Sequence, residues 1–265
     1  MKFAIIIPAR FGSTRYPGKP LVKIKLPDGS TKTLIELTWN SANKVKDVAD
    51  IFITTDDKRI KNEAEGFGAN VIMTSASCEN GTARCAQAVL NKNLSHDYYI
   101  NLQGDAPLTP PSFITQLINQ MLRNPSTSMC TPVIPFDKES FSNLLKDKQK
   151  NRVGATTVVF NSNRDALYFS KEIIPCANSK NKDPSVEIYH HVGVYCYKKN
   201  ALMKYLKWPE GLLERAEGLE QLRFLENDEK VKCVIVEKKQ QAFWELNNPE
   251  DKIIIEMILE KIDGK

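Results

Sequence analysis

The stretch FAIIIPARFGSTRYPGKPL, residues 3–21, decides how the rest of the chain is read. Phe3 to Ile7 is a short apolar run rich in isoleucine that stops at a proline, the profile of a buried strand. The loop behind it sets Arg10, Arg15 and Lys19 among Gly12, Ser13, Thr14, Pro17 and Gly18. Three cations on a segment built to hold a shape, at the end of a strand, suit an anionic ligand as well as they suit a basic surface turn. Two familiar phosphate loops are excluded. A Walker A loop needs Gly-Lys followed by Ser or Thr, whereas Pro20 follows Lys19 here, and no G-x-G-x-x-G is present.

Working outward, short strand patterns alternate with helical ones. Strands are expected at Ile51–Thr54, Asn70–Met73, Tyr98–Leu102 and Met129–Ile134, and helices at Thr33–Val45, Lys58–Phe67, Thr82–Leu90 and Ser112–Leu122. That alternation predicts an α/β fold, a Rossmann-like, mostly parallel sheet with helices on both faces. Ligands of such sheets lie outside the carboxyl ends of the strands, so the loops after Ile7, Thr54 and Leu102 are the ones to watch. The second half is less regular. Strands at Thr156–Phe160 and His191–Tyr197 bracket a lysine-rich segment, 177–184, that reads as a mobile surface loop. Helices at Ala201–Leu206 and Leu212–Leu225, a strand at Lys232–Val236 and a helix at Pro249–Ile262 complete the pattern. The expected layout is one domain: a core over about 1–135, a smaller lobe over about 136–240, and a return to the core over 241–265.

The 265 residues are 42% hydrophobic, enough for a sizeable core, and carry a net charge of +5. The lysines are scattered, which argues against a nucleic-acid footprint. Six cysteines without a C-x-x-C pair read as reduced thiols of a cytoplasmic protein, and the apolar N-terminal run is too short to span a membrane.

A second segment, N-L-Q-G-D-A-P at 101–107, places Asp105 just past an apolar strand. Alone it reads as a turn cap before Pro107 or as a carboxylate sharing Mg²⁺ with a phosphate. Together the two segments resemble the bacterial sugar-acid cytidylyltransferases, the 3-deoxy-manno-octulosonate (Kdo) cytidylyltransferase family above all. The likeness continues through T-T-D-D at 54–57, N-G-T-A-R at 80–84, A-L-Y-F-S-K at 166–171, H-V-G-V-Y at 191–195, L-E-Q-L-R at 219–223 and N-N-P-E-D at 247–251.

The resemblance implies transfer of CMP from CTP to a sugar acid with release of pyrophosphate, a Mg²⁺ cofactor and a homodimer. It maps Pro8, Ala9, Arg10, Ser13, Arg15 and Lys19 onto the triphosphate side, with Arg10, Lys19 and Asp105 in catalytic roles. It maps Asn80, Gly81, Thr82, Arg84 and Gln103 onto the rest of the nucleotide site. Gln103, His191, Tyr195, Glu220 and Gln221 map onto the acceptor pocket, and Asp105 and Asn247 onto the metal. By themselves His191 reads as a core histidine, and Glu220 and Gln221 as helix surface.

Several positions depart from the family pattern. Its V-D-T-P-E-D is L-N-N-P-E-D here, with Asn247 in place of an aspartate. Its S-G-T-E-R has Ala83 for the acid, its Y-F-S-R has Lys171, and a lysine is replaced by Thr157. The phosphate side is intact while the acceptor side has drifted, which keeps an amino-substituted or differently sized ulosonic acid in view. A different acid such as a phosphonate, and a nucleotide-binding regulator without turnover, are the alternatives.

Overall fold

The computed structural model describes residues 1–13, 16–149, 155–176, 187–237 and 243–263. Arg15 and the expected loop at 177–184 lie outside the described residues. In chain order the elements are β1 (Phe3–Pro8), a 3₁₀ turn (Lys19–Leu21), β2 (Lys23–Lys25), β3 (Thr31–Thr33), α1 (Leu34–Ala42), β4 (Asp50–Thr55), α2 (Lys58–Gly66), β5 (Asn70–Met73) and α3 (Gly81–Asn91). They continue with β6 (Tyr98–Leu102), α4 (Pro111–Arg123), β7 (Met129–Pro135), α5 (Lys138–Gln149), β8 (Thr157–Phe160), β9 (Ala166–Ser170), β10 (Tyr189–His191) and β11 (Val194–Lys198). The last are α6 (Lys199–Tyr205), α7 (Leu212–Glu217), α8 (Leu222–Glu226), β12 (Val231–Ile235) and α9 (Asp251–Asp263).

The fold is α/β, as the alternation predicts. Among the described residues one sheet runs β5-β4-β1-β6-β11-β7-β10-β8-β9, with β12 on the free side of β7, and β2 and β3 form a separate hairpin. The pairs β5-β4, β4-β1 and β1-β6 are parallel. Parallel pairing then gives way: β11 runs antiparallel to both β6 and β7, as do β10 to β7 and β8, and β9 to β8. The sheet is therefore parallel where the strand–helix alternation is regular and mostly antiparallel beyond it.

Both faces of β1 are buried, which is why it reads as a continuous apolar run rather than an alternating one. Phe3, Ile5 and Ile7 enter one core layer with Ile35 of α1, Ile60 of α2 and Phe113 of α4. Ala4 and Ile6 enter the opposite layer with Ala86 of α3, Leu202 of α6 and Phe224 of α8. A third cluster, Ile24, Leu34, Leu246 and Ile255, ties the hairpin and α9 to the first half.

Two expected elements are interrupted, both at glycine. The strand expected over His191–Tyr197 is split into β10 and β11 around Val192 and Gly193. The helix expected over Leu212–Leu225 ends at Glu217 because Gly218 takes φ +60°, a left-handed cap cheap only for glycine, and resumes as α8. The first break has a topological result. β11 pairs with β6 on one edge, whereas β10, two residues earlier, pairs with β8. The sheet forks there, beside the carboxyl end of β6.

Candidate active site

The fork and the carboxyl ends of β1, β4 and β6 surround one region. Ala9 extends β1 by donating its N–H to the Thr54 carbonyl (2.9 Å). β6 ends against the same place, and Gly104 is required there. A Cβ at that position would stand 2.8 Å from the Pro8 carbonyl oxygen, which has no room to give. The loop between is shaped by its own backbone: the N–H groups of Ser13 and Gly18 both donate to the Phe11 carbonyl (2.9 and 2.8 Å). Gly18, at φ +71°, then turns the chain into the 3₁₀ turn that carries Lys19.

Lys19 is the anchor of this side. Its ammonium donates to the Asp105 carboxylate and to the Leu246 carbonyl (3.2 Å). The backbone of Leu246 also donates to the carbonyl of Asp105 (2.9 Å), so three distant segments meet at one point. Arg10, earlier on the same loop, is exposed. Arg59, which the sequence reading did not single out, stacks its guanidinium 3.4 Å from the centroid of Phe11 while pairing with Asp57. Such stacking holds the loop from outside.

The N-G-T-A-R segment forms the N-terminus of α3, and its side chains are spent within the protein. Asn80 caps the helix, accepting from the Ala83 N–H (2.9 Å), and its amide donates to the Tyr205 hydroxyl (2.7 Å). Thr82 is fully buried with its hydroxyl on that of Tyr197 (2.7 Å). Arg84 is buried as well, donating to Thr74 (2.7 Å) and pairing with Asp56 (3.2 Å). Gln103 stands against Gly81, where a Cβ would meet its amide nitrogen at 2.7 Å. Of that segment, then, Gly81 faces Gln103 while the side chains around it fix the helix end.

The other residues of the predicted acceptor pocket do come together. Glu220 accepts from the Thr82 N–H (3.0 Å) and from the Gln103 amide (3.2 Å). Burial raises its pKa, opposed by hydrogen bonds from Thr82 and from the Gly81 backbone. Gln221 is buried; its amide oxygen accepts from the Tyr195 hydroxyl (3.1 Å), and its amide nitrogen has no hydrogen-bond partner among the described residues. Asn101, one residue before the strand end, is buried with neither amide atom paired among the described residues. Unpaired buried amides of this kind are costly unless a ligand or water meets them.

His191 is held deeper, 2.9 Å from the Thr131 hydroxyl. That hydroxyl has one proton, and the carbonyls of Val194 (2.8 Å) and Val192 (3.2 Å) compete for it. His191 Nε2 is therefore the donor, the neutral tautomer. Burial first, then the neighbouring His190, lower its pKa to about 3. His191 offers a hydrogen-bonding imidazole, not a cation.

The 245–247 segment brings up a carboxylate that spacing alone did not place. The amide of Asn247 donates to Glu245 (3.4 Å), and Glu245 points toward Gly193 at the sheet fork. Asp251 is spent on the turn, accepting from the N–H groups of Asn247 and Asn248 (2.9 and 2.7 Å). Among the described residues no helix is long and apolar enough to cross a membrane, and no cluster of three or more His, Cys, Asp or Glu forms a protein-only metal cage.

The family profile described as cytidylyltransferase matches residues 4–231. The chain is 37% identical to a 3-deoxy-manno-octulosonate cytidylyltransferase of Maricaulis maris, over 98% of this chain and 97% of that protein. It is 38% identical to an 8-amino-3,8-dideoxy-manno-octulosonate cytidylyltransferase of Shewanella halifaxensis, over 97% and 98%. A solved CMP:2-keto-3-deoxy-manno-octonic acid synthetase complexed with CTP superimposes with a TM-score of 0.84, at 30% identity, covering 99% of this chain and 100% of that one.

Proposed function

From the premise that the chain belongs to the cytidylyltransferase family and is a nucleotidyltransferase, we propose that it activates a sugar acid, Kdo or a close analogue, as its CMP derivative. The acceptor hydroxyl forms a bond to the α-phosphorus of CTP while the bond to pyrophosphate breaks; the hydroxyl proton passes to solvent. The observation that carries this reading is the meeting of Lys19 and Asp105, 86 residues apart in sequence, at the ends of β1 and β6. There an ammonium can follow negative charge as it shifts to the leaving pyrophosphate, with Arg10 and Ser13 along the same loop.

The same point suits Mg²⁺. It already holds a cation, the Lys19 ammonium, between a carboxylate and a carbonyl oxygen, and hard oxygen donors are what Mg²⁺ takes. Asp105 and, from the segment that Leu246 anchors to it, Asn247 would hold the ion. When bound, Mg²⁺ supplies charge neutralisation on the phosphate oxygens. A reaction that draws on CTP belongs in the cytoplasm. The reading includes a homodimer through the second-half lobe, supported by exposed Leu167, Leu212 and Leu213 and checked by light scattering.

The test is incubation with CTP, Mg²⁺ and a panel of sugar acids and phosphonates, following pyrophosphate release and the mass of the CMP adduct. A CMP–sugar-acid adduct is expected, with UTP slower by about 10–100-fold, since a site that pairs the cytosine amine leaves about 1–3 kcal/mol unmet when UTP enters. Tight CTP binding with no adduct would support the regulator that Asn247 brings to mind, and an adduct with phosphonates alone would move the acceptor class.

A further inference from the structure

We infer that Arg59 is a positioning residue for the reaction: through the ring of Phe11 it fixes Gly18 and, one residue on, the ammonium of Lys19. The inference rests on the reading that this loop meets the triphosphate. It goes beyond that reading by giving a part in turnover to a side chain outside the loop.

The helix α2 starts just past the carboxyl end of β4, the strand paired with β1. Ile60 and Ala64 seat it in the first core layer. Arg59 lies on its first turn, and Asp57 at the N-cap sets the plane of the guanidinium with two bonds, from Nε to Oδ1 (3.0 Å) and from Nη2 to Oδ2 (2.6 Å). Oδ1 of Asp57 also accepts the Arg59 N–H (2.8 Å), so the carboxylate that aims the side chain is itself fixed to the helix start. A two-point fork of this kind allows one orientation. That orientation lays the guanidinium carbon 3.4 Å from the centroid of the Phe11 ring.

Phe11 passes the constraint on. Its ring is half-buried, packed on the edge of the first core layer, with Arg59 over one face. Its carbonyl accepts the N–H of Gly18 (2.8 Å), and a Cβ on Gly18 would stand 3.0 Å from Cε2 and Cζ of the ring. Ring and carbonyl of one residue thus both bear on Gly18, which is buried and directly precedes Lys19. The contacts run without a break from the fork to the ring, the glycine and the ammonium between Asp105 and the Leu246 carbonyl. The backbone of the loop is set in this way, while the side chain of Arg10 stays exposed and free to meet phosphate.

The Arg59 side chain is 60% exposed, and an ion pair so placed contributes little to stability. Its effect is on geometry, and turnover is far more sensitive than melting to a displaced charge.

The experiment measures kcat and KM for CTP and for 3-deoxy-manno-octulosonate, with melting curves, on wild type, Arg59→Ala, Arg59→Lys, Phe11→Leu, the double variant Arg59→Ala/Phe11→Leu, and Lys19→Ala. Arg59→Ala should lower kcat/KM for CTP by about tenfold or more, with melting and the KM for the sugar acid unchanged. Arg59→Lys keeps the charge but loses the fork and the flat stack, so it should recover little. The double variant should be no worse than Phe11→Leu, because a residue that acts through the ring has nothing to add once the ring is gone. Phe11→Met takes its place in the cycle if Phe11→Leu melts early. Full recovery by lysine, or losses that multiply in the double variant, overturns the inference and makes Arg59 a direct contact of the phosphates. Wild-type kinetics in Arg59→Ala beside a slow Lys19→Ala overturns it and leaves the phosphate-loop reading intact. Wild-type kinetics in both removes that reading as well, and absence of any CMP adduct from the wild type removes the function on which both rest.

Discussion

The two halves of the site are built in opposite ways. On the phosphate side Arg10 is exposed, Ser13 is half-buried and accepts from the Tyr16 N–H at 3.3 Å, and Lys19 is tied down by Asp105 and Leu246. On the acceptor side Tyr195, Gln221 and His191 are buried, each already engaged by a hydrogen bond. A triphosphate brings several charges and wants cations that can move to them, whereas a sugar is distinguished by the positions of its hydroxyl groups and wants donors and acceptors already in place. Loose charge on one side and fixed polarity on the other divide the work of catalysis from that of recognition.

The largest effect should come from the open side. Lys19→Ala is expected to slow turnover by about 10²–10³-fold, as for loss of one donor aimed at developing charge. Its ion pair with Asp105 is partly exposed, so melting should move by no more than about 1 kcal/mol. A large fall in stability with turnover preserved would make Lys19 a structural residue and end the contrast.

A smaller effect should mark the closed side, and it depends on pH. The pKa of His191 falls from the usual value near 6.5 to about 3. The unfolded chain therefore binds a proton that the folded one refuses, and stability is lost as pH drops below about 6.5 toward 3. Between pH 6.5 and 5 that is about 2 kcal/mol from this residue. Denaturant unfolding of wild type and His191→Gln over that range should show the wild type losing that much more. Parallel curves would mean that the imidazole takes up its proton without cost.

The smallest effect tests where the boundary runs. Asn80→Ala should lower stability by about 1 kcal/mol through loss of the α3 cap. A variant that melts normally but binds CTP poorly would move Asn80 across to the nucleotide.

Much of the parallel half is legible in sequence because its strands are short, apolar and bounded. Asn70–Met73 and Tyr98–Leu102 coincide with β5 and β6. The β2–β3 hairpin escapes such a reading since KIK and TKT bury few residues, and α5 escapes because it buries only Leu144. The breaks at Gly193 and Gly218 fall inside patterns that continue past them, so only tertiary pairing reveals where the chain turns. In the site, Lys19 and Asp105 are found by their position at strand ends. Glu245 is different: its direction is set by the burial of Leu246, a property of the third cluster and not of the surrounding motif.

The insertion of β11 beside β6 has a consequence for the protein's birth. As the chain leaves the ribosome, Tyr98–Leu102 emerges long before Val194–Lys198, its neighbour in the finished sheet. Until that later segment is made, the edge of β6 is a row of bare amides and carbonyls, the feature that recruits strands from other chains. A nascent chain halted after Pro135, or a gene split there for complementation, would expose that edge. Such a fragment is expected to aggregate or to wait on a chaperone, even though it already carries Lys19 and Asp105.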